Sequence, residues 1–385
     1  MRSRLSYAFC LLVLAVATAA LLSPGPGSAE DLGPNNAEIK KRIDFWKVNP
    51  ALTKGVSFEA PATMSGTGTE KALAICMGLN RVDPNRYAGW SGPLTGCEGD
   101  ADAMAQIAKD AGFKTIKVLK TREATRPNFE QLVLDAAKQL QDNGILLISF
   151  SGHGGQVPDV NGDEVDDHED ETWCLYDGEI LDDDLCVLWQ QFKRPARILI
   201  VVDSCHSGTS AKAIPVREAA RHALDVDANT RKALAPALTA ERAALLKERY
   251  DARKKVDFRS TLPHAFKSMP KEVFDAIQAT PALREEYKQR GARYTKEEVS
   301  QDRVTASVIT LAACQDSQEA SDGDRNGLFT ETLIRVWRGG AFDGDYKKFH
   351  RAIQRQMPQS SQPNLDPFGK DLDRFLSQKP FQVVN

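Results

Sequence analysis

Ile145-Leu146-Leu147-Ile148-Ser149-Phe150 runs directly into Ser151-Gly152-His153-Gly154-Gly155, and further on Arg197-Ile198-Leu199-Ile200-Val201-Val202 runs into Asp203-Ser204-Cys205-His206-Ser207-Gly208. Each is a short run of branched and aromatic apolar residues, the composition of a strand buried on both faces. Each ends on a reactive side chain near glycine. Working outward, residues 71–78 form another short apolar run, 100–111 have a helical period, and 114–119 are strand-like. Pro127 opens a second helix reaching about Gln141, where Asn143-Gly144 stops it, and a further helix near 182–191 precedes the strand at Arg197. Strands alternating with helices predict an α/β fold: a mostly parallel sheet with helices on both faces, whose site lies at the carboxyl ends of the strands.

A thiolate nucleophile needs a base that takes its proton and returns one to the leaving amine, and a histidine on a neighbouring strand end supplies both. A histidine in a glycine-rich turn is commonly only a loop residue, and a cysteine after a strand is commonly buried packing. Two such residues at successive strand ends point instead to Cys205 as nucleophile and His153 as its acid/base partner. The glycines on either side of His153 and after Cys205 let a substrate backbone approach and leave amides for an oxyanion, which the Cys205 and Gly154 amides are placed to hold.

Histidine first, then cysteine on a later strand, is the order that caspases use. The chain resembles a metacaspase in three segments that stand in family order: Gly96-Cys97-Glu98-Gly99-Asp100-Ala101, Ser151-Gly152-His153-Gly154, and Asp203-Ser204-Cys205-His206-Ser207-Gly208. The run 308–313 followed by Cys314-Gln315-Asp316, then Gly327-Leu328-Phe329-Thr330, resembles the family's closing strand and helix, so the resemblance spans about residues 71–337. It implies a caspase-like fold, a His153/Cys205 dyad, and an acidic specificity pocket at Asp100 and Asp203 lined by Cys97 and Ser151. Two carboxylates sharing a desolvated pocket repel until a cation enters, so cleavage after Arg or Lys is implied. His206, adjacent to the nucleophile on an extended segment, would point away from it and is expected to be structural.

After His153 the chain turns acidic: Asp159, Asn161, Asp163, Glu164, Asp166, Asp167, Glu169, Asp170 and Glu171, then Asp182-Asp183-Asp184. Glycine falls at Gly162 and Glu164 stands where an EF-hand requires glycine, so this is not an EF-hand. The resemblance implies Ca2+ bound by Asp170, Asp182 and Asp183. A further family ligand would fall near Lys212, where no acid stands, which leaves open an incomplete site or a calcium-independent enzyme. No organic cofactor is expected. About residues 211–303 form an insertion rich in Ala, Leu, Lys, Arg and Glu with helical period, and Arg253-Lys254-Lys255 within it suits self-processing by a peptidase that cuts after basic residues.

At the N-terminus Arg2 and Arg4 precede an apolar run that ends before Pro24, with small residues at Gly27-Ser28-Ala29. Residues 1–29 therefore read as a cleaved secretory signal, which predicts an envelope-facing, periplasmic or secreted protein with no mature transmembrane span. Residues 30–68, interrupted by Pro34, Pro50 and Pro61, suit a prodomain or a packed arm before the peptidase domain at 69–385. With 385 residues, 42% of them hydrophobic, and a formal charge of -3, there is ample material for a core and no basic surplus for nucleic acid. Seven cysteines without metal spacing exclude a disulfide scaffold and a zinc site, although Cys174 and Cys186 could pair across a hairpin. The resemblance further implies protein or peptide substrates with Arg or Lys before the scissile bond, and a monomer. Two other readings stay open: an envelope Cys/His amidase, which would not require the acidic pair, and a catalytically silent calcium-binding scaffold, which would not require both dyad residues.

Overall fold

The computed structural model describes residues 33, 35–48, 68–164, 168–192, 195–205, 266–314, 320–323 and 325–384. The signal segment, His206, Lys212, Arg253-Lys254-Lys255 and the first part of the insertion lie outside these described residues.

Two hydrophobic cores lie on opposite sides of one sheet, and strand alternation sorts residues between them. The strands are β1 (Glu70–Gly78), β2 (Thr115–Lys120), β3 (Leu140–Ser151), β7 (Arg197–Asp203), β8 (Ser307–Ala312) and β9 (Asn364–Gly369), in the order β2-β1-β3-β7-β8-β9. All neighbours are parallel except β8 and β9. Leu73, Ile75 and Met77 of β1 and Leu146, Ile148 and Phe150 of β3 face one core with Phe129, Leu132 and Val133 of α3 (Arg126–Gln139). That core also takes Ile39 and Ile43 of α1 (Asn36–Val48) and Leu185 to Trp189 of α4 (Asp182–Trp189). Ala72, Ala74, Cys76, Ile145 and Leu147 face the other core. There they meet Ala101, Met104, Ile107 and Ala108, one stripe of α2 (Cys97–Asp110), with α7 (Leu328–Trp337) and α8 (Tyr346–Gln354) beside it. Each Leu, Ile, Val, Phe or Met among them, buried almost completely, stabilises the fold by roughly 1.5–3 kcal/mol before entropy is counted.

The structure has the mixed α/β architecture expected, with two differences in detail. α3 ends at Gln139, and Asn143-Gly144 does not stop it; Leu140 already pairs with Glu70, and Asn143, at φ 60°, forms an irregularity inside β3. Asparagine is among the few residues that take this left-handed conformation readily. A second, antiparallel sheet of β4 (Gly154–Pro158), β5 (Glu169–Leu175) and β6 (Gly178–Leu181) leaves the end of β3 and carries part of the acidic stretch. Cys174 on β5 and Cys186 on α4 are separate buried thiols, in different clusters, and not a disulfide.

The described part of the insertion contains two α-helices, α5 (Lys271–Ala279) and α6 (Pro281–Gly291). No helix among the described residues is long and apolar enough to cross a membrane. The arm is tied down by Arg42, whose guanidinium meets Glu130 of α3, Asp184 of α4 and the Tyr294 hydroxyl, all buried.

Candidate active site

Parallel registration sets Gly78, Ser151 and Asp203 side by side at the carboxyl ends of β1, β3 and β7. The crevice between β1 and β3 is where the chain order reverses, the usual binding position in an open parallel sheet. α2 begins packed against Gly78 and brings Cys97 and Asp100 onto this edge.

Asp100 and Asp203 converge on the ammonium of Lys267, at 3.0 and 2.9 Å. Ser151 Oγ donates to Asp100 at 2.7 Å and lies 2.9 Å from the same ammonium. The far oxygens of both carboxylates are also held: Gly327 N and Asn326 Nδ2 donate to Asp100 Oδ1, and Thr330 N and Oγ1 donate to Asp203 Oδ2. Burial by itself would push the Lys267 ammonium down, but Asp100 and Asp203 outweigh it and hold its pKa well above the usual lysine range. Gly327 is required here, because a Cβ at that position would overlap both the Lys267 ammonium and the Asp203 carboxylate. Cys97 stands at the pocket wall as a neutral thiol, its pKa pushed up by burial against the opposing pull of Lys267.

The other end of Lys267 is also held. Its carbonyl oxygen accepts from Cys205 N and from Gly154 N, both at 3.0 Å, so the two amides expected to stabilise an oxyanion converge on one carbonyl. Gly154 packs so tightly on the Cys205 backbone that a Cβ would overlap the Cys205 carbonyl oxygen, which is why the histidine turn needs glycine there. Cys205 is fully buried, and its sulfur accepts from Ala320 N at 2.9 Å.

His153 packs against Trp90, with ring centroids 4.7 Å apart, and its Nε2 lies 3.0 Å from the Gly92 carbonyl oxygen. A carbonyl only accepts, so Nε2 carries the proton and Nδ1 keeps the lone pair that a base requires. Burial, aided by the charge of Lys267, lowers the His153 pKa to about 4, although the backbone of Gly92 and of Ser268 favours the protonated ring. The imidazole is therefore neutral near neutral pH.

Asp170, Asp182 and Asp183 come together: all three are buried, and each offers a carboxylate oxygen within 4.8 Å of the others. Asn161 Nδ2 donates to Asp183 at 2.7 Å, joining the loop after β4 to this cluster. Asp184 is turned away, held by Arg42 and Arg293. An all-carboxylate set suits a hard cation: oxygens on opposite sides of a calcium ion stand about 4.8 Å apart, twice a typical Ca–O distance.

The sequence reading missed Lys267, Trp90, Gly92, Thr330 and Asp322, whose carboxylate holds Thr95 N and Gly96 N at the start of α2. Thr330 closes the segment that resembles the family's last helix, and the other four carry no motif. For Lys267 one signal was legible: Pro263 and Pro270 bracket Phe266-Lys267-Ser268-Met269 and mark it as extended inside an otherwise helical insertion.

Three comparisons bear on this geometry. The family model for the caspase domain of peptidase family C14 matches residues 73–380. Metacaspase-1B of Aspergillus niger is 34% identical over 157 residues, covering 37% of this chain and 34% of that protein. Metacaspase-1 of Cryptococcus neoformans is 34% identical over 155 residues, covering 37% of this chain and 33% of that protein. The chain thus aligns with about a third of the length of these curated relatives. The crystal structure of protein GSU0716 from Geobacter sulfurreducens is 35% identical with a TM-score of 0.61, covering 82% of this chain and all of that one.

Proposed function

Because the chain belongs to the caspase-domain family of peptidases, we propose that it is a cysteine endopeptidase of metacaspase type that cuts after Arg or Lys. The observation that carries this reading is the Lys267 ammonium between Asp100 and Asp203, at 3.0 and 2.9 Å, while its carbonyl accepts from Cys205 N and Gly154 N. A basic side chain in an acidic pocket and a carbonyl between two amides beside a cysteine are what a peptidase of this specificity must hold.

In the proposed reaction the Cys205 sulfur adds to the carbonyl carbon after the basic residue, with negative charge developing on the oxygen held by the Cys205 and Gly154 amides. His153 takes the thiol proton at Nδ1 and delivers it to the departing amine. Water then adds to the thioester with His153 as base and releases the acid. Gly92 and Trp90 position the ring for both transfers.

Asp170, Asp182 and Asp183 would hold the activating calcium, whose charge would relieve the repulsion of three buried carboxylates at the start of α4. The enzyme would act as a monomer, since both edges of its large sheet resist pairing: β9 carries Pro367 and β2 carries Lys117 and Lys120. Residues 1–29 would direct it out of the cytoplasm. A neutral-amide amidase fits less well, because it has no use for paired carboxylates closing on an ammonium, and a silent scaffold has no use for both dyad residues.

The test assays wild type and Cys205→Ala on fluorogenic Arg, Lys, Asp and uncharged amides, with calcium and with chelator. Cysteine-dependent cleavage after Arg and Lys, raised by calcium, is expected. Cleavage of the uncharged amide alone, or full activity in Cys205→Ala, would overturn the reading.

A further inference from the structure

We propose that α6 of the insertion positions the catalytic histidine: its Glu286 clamps Arg86 and thereby fixes the loop 82–92 that holds the His153 ring. This rests on the peptidase reading above and assigns Glu286 and Arg86, which touch neither substrate nor reacting atoms, as positioning residues.

The His153 ring meets two residues of that loop, the Gly92 carbonyl at 3.0 Å and the Trp90 ring. Gly92 stands at φ 50°, where a Cβ would overlap both rings, so the path of the loop and the place of the imidazole are one geometry. The loop itself has only turns, and its anchors are external. Asp83 N donates to Tyr176 O at 3.0 Å, Arg86 Nε to Asp177 O at 3.0 Å and Tyr87 Oη to Leu175 O at 2.7 Å. All three acceptors lie at the tip of the β5–β6 hairpin. Trp90 N donates to Tyr87 O at 2.9 Å, so the anchored half of the loop carries the half that holds the ring.

α6 grips both loop and hairpin with one stripe. Leu283, Glu286, Tyr287 and Arg290 follow the three-four-seven spacing of a single helix face, while residues 284, 285, 288 and 289 are exposed. Leu283 and Tyr287 share an apolar cluster with Val82 and Tyr87, and Trp90 packs against it. Glu286 meets Arg86 at 2.5 Å, Arg126 at 3.3 Å and Arg290 of its own helix. Burial alone would push the Glu286 carboxyl up, but the three arginines hold it well below the usual carboxylate range. Arg290 also donates to the Glu179 carbonyl at 2.8 Å and fastens α6 to β6.

Cover for an apolar surface would account for Leu283 and Tyr287 but not for a carboxylate aimed at a guanidinium of the loop. Arg86 uses its planar fork in two directions, Nε on the hairpin and Nη2 on α6, and so fixes the loop against both. Without the Glu286 charge, three buried guanidiniums face one another. Arg126 is built into α3 and Arg290 into α6, so the repulsion falls on Arg86 and its loop. Asp100 and Asp203 are held by Ser151, Asn326, Gly327 and Thr330, none of which lies on the loop or on α6. A shifted loop therefore misplaces His153 and leaves the acidic pocket intact.

The experiment compares full-length wild type, Glu286→Gln, Arg86→Lys, the double variant and Lys288→Gln in calcium, by steady-state hydrolysis of an Arg amide and by thermal melting. At a temperature where melting shows each protein folded, Glu286→Gln and Arg86→Lys should each lower kcat by ~10–100-fold and leave KM within about twofold. Arg86→Lys keeps the charge and loses only the fork, so it decides the matter should Glu286→Gln fail to fold. The double variant should be no slower than the slower single one, because both act through one contact. Lys288→Gln, on the exposed face of the same helix, should keep both constants. An unchanged kcat in a folded single variant, or a loss confined to KM, overturns this inference and leaves the peptidase reading standing. Absence of hydrolysis by wild type overturns the two together.

Discussion

The amide of Cys205 donates to the carbonyl oxygen of Lys267 at 3.0 Å, so the residue expected to attack a carbonyl holds one of its own chain through its backbone. The same lysine closes the acidic pocket, so one residue joins the Cys205 and Gly154 amides to the carboxylates of Asp100 and Asp203.

The pocket gives the first prediction. Asp203→Asn should lower kcat/KM for an Arg amide by ~10²–10³, mostly through KM, because it halves the charge facing a desolvated cation; removing one partner of such a pair costs about 3–5 kcal/mol. Thr330→Val, which removes only the hydroxyl that orients Asp203, should cost about tenfold or less. An unchanged KM in Asp203→Asn would separate this carboxylate from substrate.

The arm gives the second. Arg42 reaches Glu130 at 2.7 Å and Asp184 at 2.7 Å with its side chain almost fully buried. Burial pushes Glu130 up against the pull of Arg42, and Arg42→Met would leave that carboxylate buried without its cation. We expect a loss of about 3–5 kcal/mol in urea unfolding, partly recovered in Arg42→Met/Glu130→Gln. Asp184 keeps Arg293 at 2.9 Å, so the damage should centre on Glu130. An unshifted midpoint would mean that α1 is not docked in solution.

Much of this site was legible in the sequence, because strand ends in a parallel sheet are set by apolar runs. Cys205 and His153 each follow such a run, and Asp100 sits one helical turn after the Gly96-Cys97 entry to α2. The small sheet β4–β6 was not legible, since its strands are short and Glu169, Asp170 and Glu171 disguise β5 as part of a solvated loop. Asp170 is buried and meets Asp182 and Asp183 past the β5–β6 hairpin, a tertiary contact that a local pattern does not encode. Lys267 was hidden for the same reason: its meaning comes from Asp100 and Asp203, which lie on two other elements.

The carboxylate cluster gives the third prediction, a crossing of stabilities. In chelator, Asp170→Asn should melt at or above the wild-type temperature, because it removes one of three mutually repelling buried carboxylates. In millimolar calcium the order should reverse, since wild type gains binding free energy that the variant loses; occupancy at about 100 times Kd is worth about 2.7 kcal/mol. Parallel melting curves in both conditions would remove the cation from this site.

Substrate preference gives the fourth. Lys267 has no exposed surface, whereas Phe266 keeps 49% of its own and touches the protein through a backbone bridge. Peptides with Phe, Ala or Asp before the basic residue should differ by less than about tenfold in kcat/KM, since an exposed side chain buries little area. Replacing the basic residue by Gln should cost at least ~10³, as the pocket carboxylates then face no cation. Selection at the preceding position stronger than selection at the basic one would reverse this assignment of subsites.

The fifth prediction concerns pH, and its sign follows from what surrounds His153. Burial, and then the Lys267 charge, hold the ring at about 4, well below its unfolded value near 6.5. The unfolded chain therefore binds the extra proton first, and the fold loses stability as pH falls below 6.5, by up to about 3 kcal/mol near pH 4; above 6.5 the group contributes nothing. Urea midpoints of wild type and His153→Gln at pH 7 and pH 4 isolate this group: the wild type should lose up to about 3 kcal/mol more than the variant between the two, and equal losses would mean that the burial around His153 does not hold the ring neutral.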